Sequence, residues 1–107
     1  MHLQDHIKAV LRGHGIQKTP KAFFYTTELA ELYLLPFTGM LLSNLLGLVA
    51  ERNGIQEFSL RRELLFLCRK IRQYDPGWYC RVFSGGFNVF AYIKSVALEA
   101  LEHSRAS

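Results

Sequence analysis

The sequence predicts a mainly α fold, a compact bundle of about five helices with room for one short β-hairpin between residues 78 and 93. Three observations lead there. Apolar residues recur at three- and four-residue spacing through most of the chain. Gly, Pro and Asn punctuate those runs. Half of the 107 residues are apolar and 21% are charged, which excludes a disordered tail and suits a globular chain. The length fits a single helical domain, residues 1–107, able to bury one core without disulfides or a metal.

A first helix is expected over residues 3–12. Leu3, Ile7, Val10 and Leu11 share one face, while Asp5, Lys8 and Arg12 take the other. Gly13 and Gly15 end it, and residues 16–20 read as a loop. The aromatic content of residues 22–25 suggests a short strand. Thr26 and Thr27 are candidate caps for a second helix, with Glu28 and Glu31 near its positive end and Pro36 forcing the chain out.

Thr38 can cap a third helix over residues 39–52, closed by Asn53-Gly54. Met40, Leu41, Leu42, Leu45, Leu46, Leu48 and Val49 leave it little polar surface, so it is expected at the centre of the core. Ser59 reads as the cap of a fourth helix, which Asp75-Pro76-Gly77 stops. Residues 78–83 are expected to be extended, followed by the turn Ser84-Gly85-Gly86. Two readings then compete. Either a strand continues through residues 87–93 to form a hairpin, or Asn88 caps a helix whose apolar positions include Val89, Ile93, Val96 and Ala100. The last helix is expected from about Lys94, with the preceding six or seven residues open.

The fourth helix concentrates the charge. Of 13 basic and 9 acidic residues, five and one fall within residues 60–73, leaving eight of each elsewhere. The whole formal excess of +4 therefore sits on one helix. At about 100° per residue, Leu60, Leu64, Leu67, Cys68 and Ile71 fall together. Arg61, Arg62, Arg69 and Arg72 lie largely opposite, with Lys70 on a flank and Glu63 the only acid. Guanidinium groups displace counterions at phosphates and make bidentate bonds, so the expected partner is nucleic acid, duplex DNA in the first instance. Leu65 and Phe66 leave the apolar stripe and suit a protein interface, or else they pack under a neighbouring element.

The segment LLGLVAERNGIQEFSLRRELL, from Leu45, resembles the helix, turn and next helix of a winged helix-turn-helix domain. That resemblance implies a three-helix core, a β-hairpin wing near residues 78–93, and DNA contact through one helix and the wing. Arg61, Arg62, Arg69 and Arg72 would be the contacts, with Arg81 and Lys94 near the wing. An alternative framing, TTELAELYLLPFTGMLLSNLLGL, places the recognition helix at Thr38. That helix has no basic residue before Arg52 and makes a poor groove reader.

No catalytic signature appears, and no enzyme activity, cofactor or metal is expected. His2, His6 and His14 read as surface histidines without an acidic or thiol partner at ligand spacing. Cys68 and Cys80 read as buried free thiols, and Cys80 lacks a histidine nearby in sequence. Ser84-Gly85-Gly86 reads as an ordinary turn without the lysine and hydroxyl of a nucleotide loop. Trp78, Tyr79, Phe83, Phe87, Phe90 and Tyr92 read as core, although Arg81 among them also allows stacking on unpaired bases.

The apolar runs are too short for a bilayer, and residues 1–10 lack a signal-peptide pattern, so a cytoplasmic location without membrane partners is expected. Two readings follow. One is a small regulatory nucleic-acid-binding domain acting as a homodimer. The other is a non-catalytic interaction or inhibitory module whose apolar surface meets a protein partner or a second copy.

Overall fold

The computed structural model describes residues 2–35 and 40–106. They form six helices: α1 (Leu3–Gly13), α2 (Lys21–Leu34), α3 (Leu42–Arg52), α4 (Glu57–Tyr74), α5 (Pro76–Val82) and α6 (Val89–Ala106). Among the described residues there is no strand, so the mainly α expectation holds while the hairpin and the wing do not. Helix α2 packs on α1, α3, α4 and α6, and α1 also lies along α6.

The first helix extends one residue beyond its expected end. Ile7, Val10 and Leu11 are buried as the periodicity requires. Gly15 follows at φ +97°, a left-handed conformation that suits glycine. Arg12 clips the next loop by donating to the carbonyls of Ile16 (2.9 Å), Gln17 and Lys18 (3.2 Å). Its guanidinium also lies 4.6 Å from the ring centroid of Phe23.

Residues 22–25 are helical, which corrects the expected strand. Ala22, Phe23, Thr26, Leu29 and Ala30 form a buried helical face, and that burial overrides the local β preference of the aromatic residues. Thr26 and Thr27 consequently lie inside α2 rather than at its start. Their hydroxyls donate back to the carbonyls of Ala22 and Phe23, each at 2.8 Å, which allows both to be buried there. Thr26 also meets the buried Tyr92 hydroxyl at 2.8 Å, tying α2 to α6.

The expected breaks at Pro36 and Thr38 lie outside the described residues. Helix α3 begins at Leu42 and ends before Asn53, with Gly54 at φ +66°. Leu45, Leu46, Val49 and Ala50 are buried while Ser43, Asn44 and Gly47 are exposed, so only one face of α3 belongs to the core; Met40 and Leu41 precede the helix and are exposed. Ser59 is not the cap of α4. That helix starts two residues earlier, placing Ser59 inside its first turn.

Asp75-Pro76-Gly77 ends α4 and also begins α5. The Asp75 side chain accepts from the Trp78 amide at 3.3 Å, and proline occupies the first turn, where its missing N–H costs nothing. Residues 78–82 are therefore helical, not extended. Asn88 then caps α6, its Oδ1 accepting from the amides of Phe90 (2.8 Å) and Ala91 (3.1 Å). The capped-helix alternative is the observed one, and α6 begins five residues before Lys94.

Candidate nucleic-acid interface

Helix α4 is anchored by Leu60, Leu64, Leu67, Cys68 and Ile71, all buried against the core. Its starting point adds Glu57, so the complete helix carries five basic and two acidic side chains. Arg61 pairs with Glu57 at 3.6 Å, one turn away on an exposed face. Among the described residues, Arg62, Arg69, Lys70, Arg72 and Arg81 form no ion pair and are exposed.

The arginines rest on aromatic rings. Arg61 lies over Phe90 at 5.5 Å, Arg62 over Phe58 at 5.6 Å, Arg69 over Phe66 at 5.8 Å and Arg72 over Tyr79 at 5.4 Å. Each such contact contributes about 0.5–1 kcal/mol at an exposed site. Among the described residues the only ion-pairing side-chain partner of these four guanidinium groups is Glu57, at Arg61, so their N–H donors remain available to an anion. Phe58, Phe66 and Tyr74 are themselves 69%, 47% and 64% exposed. The surface of α4 is therefore an alternation of guanidinium and aromatic groups.

The six residues singled out in sequence do not all converge. Arg61, Arg62, Arg69 and Arg72 share one helical face, as the wheel indicates. Lys70 lies on the flank, beside Glu63 and Phe66 on one side and Gln73 and Tyr74 on the other. Arg81 belongs to α5 and sits in the field of Asp75. Lys94 is exposed on α6, where no wing exists.

A groove of about 620 Å³ opens between the first half of α4 and the start of α6. Phe58, Arg61, Arg62 and Leu65 form one wall, and Phe87 to Phe90 form the other. Sequence reasoning missed this groove. Its only local signal was the departure of Leu65 from the core stripe, which the groove accounts for.

Two histidine sites also correct the sequence expectation of surface histidines. His6 is buried and its Nδ1 meets His103 Nδ1 at 2.7 Å. His14 bridges two carboxylates, with Nδ1 2.8 Å from Asp75 Oδ2 and Nε2 2.6 Å from Glu99 Oε2. Trp78 Nε1 donates to the other Glu99 oxygen at 2.6 Å, and the His14 and Trp78 rings lie 4.3 Å apart. Burial opposes the protonated form of His14, but hydrogen bonds to Glu99 and Asp75, with their charges, outweigh it and raise its pKa. The hydrogen bond to His14, opposed by a smaller desolvation effect and helped by the Trp78 amide, lowers that of Asp75. This knot joins the end of α1 to the α4–α5 junction and to α6.

Both cysteines are free. Cys68 is buried, which pushes its thiol pKa far up, whereas Cys80 is exposed and departs from the expected burial. Among the described residues, no group of three His, Cys, Asp or Glu side chains is arranged to hold a metal ion. Nor is any helix among them long and apolar enough to cross a membrane. Trp78, Phe83 and Tyr92 are core residues, so they offer no stacking surface. No protein-family model matches the chain, no curated protein matches its sequence, and no solved structure matches its fold.

Proposed function

We propose that this protein binds nucleic acid through the arginine face of α4. The observation that carries the reading is the exposure of Arg62, Arg69 and Arg72 without a carboxylate partner, beside an Arg61 whose ion pair is a 3.6 Å surface contact. An exposed pair of that kind contributes about 0–1 kcal/mol and yields readily to a phosphate. The mode differs from a winged helix. Helix α4 packs against α2, α3, α5 and α6, so it does not stand proud as a groove reader would, and no wing accompanies it. Contact with phosphates along the open face fits this geometry better than insertion into a duplex groove.

The test is fluorescence anisotropy with labelled oligonucleotides at two salt concentrations. Four phosphate contacts predict an affinity loss of about 50- to 150-fold between 50 and 200 mM salt. Replacing both Arg62 and Arg69 with alanine lowers affinity and flattens that dependence while leaving the helical circular dichroism unchanged. Binding that is unaffected by the double substitution would remove α4 from the reading.

The exposed aromatic residues favour a second reading, in which α4 docks a protein or a second copy. Arg, Phe and Tyr side chains are common at such contacts. Light scattering over a concentration series distinguishes a stable dimer from a monomer.

A further inference from the structure

Resting on the phosphate-binding reading of α4, we propose that the groove between α4 and the start of α6 holds an unstacked nucleobase. The ligand is accordingly single-stranded. The groove walls present the aromatic rings of Phe58, Phe87 and Phe90, with Leu65 on the α4 side. Its volume of about 620 Å³ lies in the range of small-ligand pockets. Aromatic faces gain most from another π-face, and an unpaired base supplies one whatever its identity.

The polar groups at the groove complement that occupant. Arg61 and Arg62 lie with their guanidinium groups over Phe90 and Phe58, so their N–H edges can reach the phosphates on either side of an inserted base. Asn88 adds a directional group. Its Oδ1 is committed to the amides of Phe90 and Ala91, which fixes the side-chain orientation, while its Nδ2 has no hydrogen-bond partner among the described residues. That nitrogen can donate to a carbonyl or ring nitrogen, and every base carries such an acceptor.

A duplex meets these groups less well. Its base faces are stacked away, so the 69%-exposed Phe58 would lie against sugar and phosphate. An acidic protein segment could satisfy the arginines, but it would leave the Asn88 donor and the aromatic walls less specifically matched.

The test uses the full chain and three labelled probes of equal length: an oligothymidylate, an abasic strand with the same phosphates, and a duplex. The thymidine strand is expected to bind about 5- to 150-fold more tightly than the abasic strand, the range for stacking of one base. Phe58→Ala, at an exposed position, should erase most of that difference, lowering thymidine binding far more than abasic binding, which falls only through the lost ring contact to Arg62. Asn88→Asp retains a helix cap but replaces the donor, and should weaken thymidine binding more than abasic binding. Equal affinity for all three probes, insensitive to F58A but reduced by R62A/R69A, would overturn the base site and keep the phosphate reading. Failure of every strand to bind would overturn both and pass the groove to a protein partner.

Discussion

Replacing His14 with alanine tests a place where three distant parts of the chain are held by charge. In the native molecule His14 is 13% exposed and bridges Asp75 and Glu99, whose side chains are 36% and 33% exposed. A hydrogen bond to a charged group is worth about 1.5–3 kcal/mol. Solvent access to the carboxylates brings each nearer the surface value of about 0–1 kcal/mol. Trp78 still satisfies Glu99 in the variant, but the ring contact at 4.3 Å is lost. Together these effects give a loss of about 2–3 kcal/mol near pH 6, or a fall in Tm on the order of 10 °C for a domain of this size.

The pH dependence has a definite sign. The folded pKa of His14 is raised above its unfolded value of 6.5, so its contribution is complete below pH 6.5 and drains away as pH rises through the folded value. Asp75 behaves oppositely. Its depressed pKa makes its contribution complete above the unfolded value of 3.8 and lost on acidification through the folded value. Thermal unfolding of both proteins from pH 5.5 to 8.5 is the assay, because the difference between them cancels the other histidines. The gap should be widest at the acidic end and shrink with rising pH. A gap of constant size, or none at pH 6, would refute the bridging role.

Two further outcomes concern packing. Gly15→Ala should destabilise the fold by more than about 1–2 kcal/mol, because φ is +97° and the new Cβ would lie 2.8 Å from Tyr74 Cγ and closer still to Tyr74 Cβ. Gly85→Ala meets nothing within 4 Å and should stay within about 0.5 kcal/mol of the parent in urea unfolding. A thiol reagent should modify one cysteine, Cys80, in the native protein and Cys68 only after denaturation. Equal native rates for both would contradict the burial of Cys68.

Legibility followed the range of the interactions. The face of α1, the Asn53-Gly54 end of α3 and the buried stripe of α4 were readable because each depends on residues within a few positions. Residues 22–25 were misread because their intrinsic preference is extended, whereas packing buries Phe23 on a helix. Asp75-Pro76-Gly77 was read as a stop alone, although the same Asp side chain starts α5. At the candidate site, counting charges located the arginines but not the rings beneath them. The partners of His14 were also hidden, since Asp75 and Glu99 lie 61 and 85 residues away.

The amino-acid order by itself determined a helical chain whose net charge collects on one amphipathic helix, because a 3.6-residue period and a local excess of arginine require no knowledge of the rest of the molecule. Only the tertiary structure decided that Phe58 and Phe90 line the two walls of one groove, and that His14 joins two carboxylates. Those meetings depend on how α4, α5 and α6 pack, and packing is set by the whole core rather than by neighbours along the chain.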